Sequence, residues 1–358
     1  MKLTVKAFVA VICGGLCLGV LQAETTILVT EPGNAGSRSP LDELADRYNS
    51  ESEDVKIRVQ KVASDQVERF LLTGQPHPGG DLVFVKGAGF GGASVLSELL
   101  EPLESPVLRQ HVPAHLWHPG KIWVAFSKKY RHIYINKQKI QDESLSIPET
   151  FEDLGDPQWK GRLCLRHGDK EYNTSLVSYF LNKMGLKATT HMLNRWMANE
   201  PVFVRGDLSG VLENIHTGQC LVGIANSYYL GYFLKRKNLT LAETPLHAVI
   251  PQKESAAHVN FNALGLLKNS PNKQAALEFL EWTVGANPQA IYSSLSYTFP
   301  VNEDAKNSVY YPGFLDRAFD LDIRDDTSLN PEIVTEQTQE VQALMKRVGW
   351  KFKDEIPE

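Results

Sequence analysis

The sequence predicts an α/β protein of more than one domain, from three observations. The chain has 358 residues, and at roughly 100–200 residues per domain this favours two domains or one large discontinuous one. Hydrophobic residues make up 42% and charged residues 22%, which is typical of a globular protein and excludes fibrous and disordered chains. Apolar strand-like runs alternate with segments of helical periodicity, the pattern of an α/β protein.

The N-terminus predicts export. Lys2 and Lys6 precede an uncharged stretch, residues 7–21, and a small residue, Ala23, follows as a cleavage position. The apolar run is shorter than the roughly 20 residues that span a bilayer. We therefore expect residues 1–23 to be a signal peptide and the mature protein to be soluble in the periplasm; the alternative is an uncleaved N-terminal anchor.

Charge argues against a nucleic-acid partner. The formal net charge is −5, and without Lys2 and Lys6 it becomes −7, with 35 basic and 42 acidic residues. No basic domain remains to bind a phosphate backbone.

Cysteine usage agrees with export. Removal of the signal peptide takes Cys13 and Cys17 with it and leaves Cys164 and Cys220, an even pair in an oxidising compartment. We expect one disulfide between them; the alternative is two free buried thiols.

The elements follow in βα order. Residues 26–29 predict a strand, and Ser39 and Pro40 supply an N-cap and a first helical position. Further strands and helices are predicted at residues 55–62, 64–72, 81–85, 133–135, 163–165, 173–184, 220–225 and 332–347. We expect another helix capped by Ser270 and Pro271 and stopped by Gly285. Strands joined through helices predict a parallel sheet.

Catalytic motifs give little support to an enzyme. Residues 87–92 (GAGFGG) formally match a dinucleotide fingerprint, but they lie well inside an exported chain. A flexible strand-to-helix turn, whose backbone amides could still face a ligand, is the preferred interpretation. No G-x-S-x-G or H-E-x-x-H motif occurs. An exported enzyme is the remote alternative to a binding protein.

A tyrosine pair is the more informative feature. Tyr228 and Tyr229 follow a predicted strand and precede a predicted helix, and only at such a junction can adjacent side chains face one ligand. A helix N-terminus favours negative charge, including phenolates, and phenolate oxygens suit a hard cation such as Fe³⁺. Ordinary packing of half-buried aromatics is the alternative from the pair alone.

Longer segments resemble a known family. Residues 156–162 (DPQWKGR), 166–175 with its YNTS and 226–231 (NSYYLG) resemble, in order, signatures of the periplasmic iron(III)-binding proteins of ABC importers. Residues 258–260, 299–302 and 348–351 extend the resemblance over nearly the whole mature chain. It implies a type II periplasmic binding protein with two lobes joined by hinge strands, an N-terminal lobe of residues 24–127 and 250–305 and a C-terminal lobe of residues 128–249 and 306–358.

The resemblance also implies a site. Tyr172, Tyr228 and Tyr229 are expected to bind Fe³⁺ as phenolates, with or without a synergistic anion. Asn226 and Arg131 are expected to contact that anion or the cleft wall. The implied partners are an ABC permease with its ATPase, and the implied form is a monomer.

The N-terminal lobe departs from the family pattern. After the first strand the chain has Glu31 where relatives have a tyrosine or histidine, so Glu31 is the weaker candidate for an iron ligand. Lys86 stands where an acidic residue is commoner and could hold an anion. Lys86, Arg131 and Arg166 would carry the alternative function, binding of an iron chelate or of an organic or phosphate-like anion.

Overall fold

The first half of the chain forms a parallel βαβ unit, as expected. Ser39 caps α1, where its hydroxyl accepts from the Leu41 amide. Strand β1 (Thr25–Pro32) pairs in parallel with β2 (Val55–Val62) and with β3 (Leu82–Lys86). The elements are β1 (Thr25–Pro32), α1 (Pro40–Glu51), β2 (Val55–Val62), α2 (Ser64–Thr73), β3 (Leu82–Lys86), α3 (Ala93–Leu99), β4 (Leu100–Glu101) and α4 (Pro106–His111).

The computed structural model describes residues 25–75, 79–86, 93–205, 210–251, 256–319, 323–326 and 331–356. The predicted signal peptide and the Gly-rich segment 87–92 lie outside the described residues, as does the side chain of Lys86. No helix in the described ranges is long and apolar enough to span a bilayer.

Strand β5 (Val124–Asn136) is the longest strand and belongs to two parts of the sheet. Its first half pairs with a late strand, β10 (Val259–Leu267), and its second half with β8 (Val222–Asn226) and β9 (Leu246–Val249). The sequence predicted only residues 133–135 of this strand. The elements that follow are α5 (Lys137–Asp142), β6 (Leu163–Arg166), α6 (Glu171–Ala198), β7 (Val202–Val204), α7 (Gly210–Thr217), β8 (Val222–Asn226), α8 (Tyr228–Lys237) and β9 (Leu246–Val249).

The chain then returns to the first part of the sheet and ends in a long helix. The strand order is β2-β1-β3-β10-β5-β8-β6-β7, with β10 antiparallel to both its neighbours, so the sheet is mixed rather than parallel throughout. The remaining elements are β10 (Val259–Leu267), α9 (Lys273–Thr283), α10 (Ala286–Ser296), β11 (Phe299–Pro300), α11 (Gly313–Ala318) and α12 (Pro331–Val348).

The predicted start of α9 was wrong, whereas its predicted stop is confirmed, because α9 ends at Thr283 with Val284 as its C-cap, directly before Gly285. The N-cap position is Asn272 rather than Ser270, and Gly285 is the N-cap of α10. Ser270 is occupied elsewhere, since its hydroxyl donates to Asp81 at 2.6 Å and accepts from the Asn272 amide at 3.0 Å.

Three hydrophobic cores stabilise the molecule. The first core collects buried residues between 29 and 126 and between 261 and 301. The second core runs from 133 to 352, where α6 packs on α12, and the third from 130 to 319. Burial of apolar surface at about 25 cal/mol per Å² is the main stabilising term in each. The exact lobe boundaries given above stay a prediction.

The predicted disulfide is confirmed. Cys164 of β6 bonds to Cys220, two residues before β8, with the two Cα atoms 5.8 Å apart. The bond ties together the two strands that lead into α6 and α8.

Candidate metal centre at the N-termini of two helices

The β8–α8 junction places the tyrosine pair as predicted. Strand β8 ends at Asn226 and α8 begins at Tyr228. The connecting Ser227 is anchored on β5, because its amide donates to the Tyr130 carbonyl at 2.9 Å and its hydroxyl accepts from the Tyr130 amide at 3.2 Å. The start of α8 is therefore fixed relative to the sheet.

Tyr172 joins the pair from a second helix. It is the second residue of α6, which follows β6 in the same part of the sheet. The ring centroids of Tyr172 and Tyr229 are 6.3 Å apart, and those of Tyr228 and Tyr229 are 4.7 Å apart, both edge to face. Three phenols thus meet at the positive ends of two helices, where the helix dipoles favour negative charge.

Two of the three hydroxyls are buried without satisfied bonds. Tyr172 is 7% exposed and Tyr229 is 1% exposed. Their hydroxyls lie close to each other, yet neither makes a hydrogen bond of acceptable geometry with a described residue. Only Tyr228 has a clear partner, the Asn226 amide nitrogen, which donates to its hydroxyl at 3.2 Å. Leaving a buried hydroxyl unsatisfied costs about 1–3 kcal/mol, and a cation would engage both.

Burial controls the protonation of the three phenols. Desolvation raises the pKa of Tyr228, and desolvation followed by the charges of the neighbouring phenols raises the pKa of Tyr229. Desolvation also raises the pKa of Tyr172, opposed by the positive charges of Arg166 and Arg131. The phenols are therefore neutral at pH 7 until a cation displaces their protons.

Arg131 lies behind Tyr172. It stands opposite Asn226 in the β5–β8 register, and its guanidinium donates to the side-chain oxygens of Asn226 and Asn173, both at 3.0 Å. Its Cζ atom is 4.7 Å from the Tyr172 ring centroid. Arg131 is 2% exposed and makes no ion pair with a carboxylate in the described ranges, so a buried positive charge accompanies the phenols.

Arg166 ends β6 beside the same cluster. It is 4% exposed, and its positive charge acts on Tyr172. Its backbone carbonyl accepts from the Trp350 indole at 2.8 Å, which attaches the C-terminal segment to the site.

Glu31 is already paired. Its carboxylate, 2% exposed, forms an ion pair with Lys61 and accepts from the Ser39 hydroxyl at 2.6 Å. Lys61 also binds Asp42 at 2.8 Å. The parallel register of β1 and β2 sets Glu31 directly beside Lys61, so the negative charge of Glu31 is neutralised within its own half of the molecule.

A cavity of about 520 Å³ opens beside Tyr172. Its lining includes Pro32, Glu68 and Val85 from β1, α2 and β3, and Glu171 and Thr174 from α6. Glu171 directly precedes Tyr172 on α6, so one wall of the cavity is the helix turn that carries Tyr172.

Comparison with known proteins identifies the family. The family described as bacterial extracellular solute-binding proteins matches residues 81–315. The chain belongs to this family. This solute-binding protein is 30% identical over 264 residues to iron uptake protein A1 of Synechocystis sp., and the match covers 72% of each chain. It is 26% identical over 195 residues to the Fe(3+)-binding periplasmic protein of Serratia marcescens, covering 54% of this chain and 56% of that protein.

A solved structure confirms the fold. The Trichodesmium protein IdiA (FutA), solved in complex with iron and citrate, superposes on this solute-binding protein with a TM-score of 0.77 at 25% identity, covering 91% of this chain and 100% of that one. The prediction of a two-lobed type II periplasmic binding protein of the α/β class is confirmed, and with it the resemblance from which it came.

The structure brings most of the predicted site residues together. The phenols, Asn226, Arg131 and Arg166 form one cluster, whereas Glu31 is engaged by Lys61. Sequence reasoning missed Asn173, which holds Arg131, and Lys129, whose Nζ lies 5.9 Å from the Tyr228 ring centroid. Asn173 lies inside the YNTS segment and could have been proposed from it, whereas no motif marks Lys129.

Proposed function

We propose that this solute-binding protein captures ferric iron through Tyr172, Tyr228 and Tyr229 and delivers it to the permease of an ABC importer. The observation that carries the proposal is the meeting of three phenols at two helix N-termini, with two hydroxyls buried and unsatisfied. Anionic oxygen ligands suit hard cations. The names of the relatives, iron uptake protein and Fe(3+)-binding periplasmic protein, support the same solute.

The charges of the site fit a trivalent ion. Loss of a proton from each of the three phenols gives three phenolates, which neutralise Fe³⁺. Because burial raises the pKa of each phenol, iron enters as protons leave. Arg131 contributes a further buried positive charge, so a synergistic anion beside the iron is part of the proposal.

The protein binds and does not catalyse. Residues 1–23 direct it to the periplasm, where it acts as a monomer. Closure of the two lobes traps the ion, and a membrane permease with its ATPase receives it.

The buried arginines favour one second candidate. Arg131 and Arg166 are 2% and 4% exposed, and buried cations recognise anions strongly. An iron chelate, or an organic or phosphate-like anion, would then bind to these arginines with Lys86 as a further donor.

A titration with iron tests the proposal. The mature, iron-stripped protein is titrated with a weak ferric chelate while visible absorbance is recorded, because phenolate bound to Fe³⁺ absorbs visible light. We expect a saturable band at one iron per protein, and its loss in Tyr228→Phe and Tyr229→Phe. Tyr310→Phe, at a surface tyrosine 44% exposed, is the matched control and keeps the band.

Two results would contradict the proposal. If no band forms with the wild-type protein, phenolates do not hold iron, and calorimetric titration with phosphate, citrate and ferric citrate tests the second candidate. If a band forms and survives both substitutions, iron binds at another place.

A further inference from the structure

Two carboxylates face one cavity from opposite halves of the molecule. Glu68 lies on α2, which packs on the first core through Val67 and Leu71. Glu171 is the first residue of α6, whose buried side packs on the second and third cores. Both side chains are exposed to the cavity of about 520 Å³ beside Tyr172. Neither makes a hydrogen bond or an ion pair with any residue that the structure describes.

The charge of Glu171 acts on Glu68 and on the tyrosine cluster. Desolvation, and next to it the negative charge of Glu171, raises the pKa of Glu68. The charge of Glu171 also acts on Tyr172, Tyr228 and Arg131. Glu171 therefore lies at the edge of the cluster and Glu68 faces it in the same cavity, where the two like charges repel and a cation would bridge them.

Other groups of the N-terminal half are less suited to a cation. Glu31 is neutralised by Lys61 and held by Ser39. Glu68 has no such partner among the residues that the structure describes, and it stands on the helix face that also places Ser64, Val67 and Leu71 around the cavity. The unsatisfied hydroxyls of Tyr172 and Tyr229 supply an independent sign that the adjoining site takes a ligand.

We propose that Glu68 is the carboxylate through which the N-terminal lobe contacts the cation held by the three tyrosines, with Glu171 facing it from the C-terminal lobe. This inference rests on the proposed function and assigns the contact to α2 rather than to the end of β1. An ion that binds both carboxylates interacts with the closed arrangement more strongly than with the open one, so it shifts the population towards closure.

The test compares Glu68→Gln and Glu171→Gln with Asp65→Asn. Asp65 is an acidic residue of the same helix that does not line the cavity, so Asp65→Asn removes the same charge at nearly the same place. Two quantities are measured: retention of Fe³⁺ against citrate, and the change in radius of gyration on iron loading by small-angle X-ray scattering.

We expect Glu68→Gln to keep the visible phenolate band. The variant should lose iron at a citrate concentration at least about tenfold lower than the wild-type protein does, and its radius of gyration should no longer decrease on iron loading. Glu171→Gln is expected to weaken retention as well, and Asp65→Asn to behave as wild type. Unchanged retention and contraction in Glu68→Gln would overturn the inference, and so would equal weakening by Asp65→Asn. The absence of a band in the wild-type protein would instead overturn the proposed function.

Discussion

At the scale of single residues, the site combines neutral phenols with a permanent positive charge. Arg131 is held by two asparagine oxygens and stacks on Tyr172, so its position does not depend on a bound ligand. Its charge favours the phenolate form of Tyr172 while burial opposes it. This balance keeps the phenol protonated until a highly charged cation binds, which is the behaviour that a ferric carrier requires.

His132, the neighbour of Arg131, gives a test of the buried core. Both its ring nitrogens are buried without a hydrogen-bond partner in the described part of the chain. Burial, followed by the charge of Arg131, lowers the pKa of His132 to about 3. In the unfolded chain the pKa of histidine is about 6.5. Between about pH 6.5 and pH 3 the unfolded state therefore binds a proton that the folded state does not. As a result, the free energy of unfolding decreases as the pH falls through this range.

We therefore expect His132→Phe to flatten the pH dependence of stability. The phenyl ring would pack against Phe319, whose ring centroid is 4.8 Å from that of His132. Urea unfolding of both proteins from pH 7 to pH 4 should show a slope smaller by about one proton in the variant. His191→Gln, at an exposed histidine, serves as control, and an unchanged slope in His132→Phe would show that His132 does not stay neutral in the folded protein.

The residue scale also shows what could be predicted. Tyr228 and Tyr229 were placed from one rule, that adjacent side chains share a face only where a strand gives way to a helix. Tyr172 and Arg131 came from the family resemblance. Glu68 could not be predicted, because an exposed glutamate on an amphipathic helix has no distinguishing pattern until the opposite lobe is placed against it.

At the scale of elements, the disulfide links β6 to the segment just before β8, the two strands that lead into the helices carrying the tyrosines. The bond closes a sequence separation of 56 residues, and the chain-entropy model gives a stabilisation of about 4 kcal/mol for a loop of that length. We expect Cys164→Ala/Cys220→Ala to lose about that free energy of unfolding, measured by urea unfolding. Treatment of the wild-type protein with a reductant gives the matched comparison. A loss below about 1 kcal/mol in both would mean that the bond contributes little to folding.

Elements bounded by local chemistry were predicted well, and those set by tertiary contacts were not. The cap at Ser39 begins α1 as its hydroxyl predicts. Ser270 carries the same apparent signal but turns its hydroxyl to Asp81, 189 residues away in the sequence. The full length of β5 was not predicted for a related reason. Its first half pairs with β10 and its second half with β8, so its extent depends on two tertiary partners that the local sequence does not reveal.

At the scale of the whole molecule, β5 joins the two parts of the sheet and the cavity lies where their helices face each other. Carboxylates of the two halves repel each other across that cavity, whereas a bound cation attracts both. The solute therefore supplies the interaction that favours the closed form. In the proposed mechanism, tyrosines on one lobe capture the cation and Glu68 on the other lobe contributes to closure.

The most direct test of this account is a crystal structure of the mature, iron-loaded protein, with anomalous diffraction measured at the iron absorption edge. We expect one strong anomalous peak in the cleft, from an iron ion bonded to the phenolate oxygens of Tyr172, Tyr228 and Tyr229 and facing the side chain of Glu68. A peak elsewhere, or a cleft occupied by an anion on Arg131 and Arg166 without iron, would contradict it.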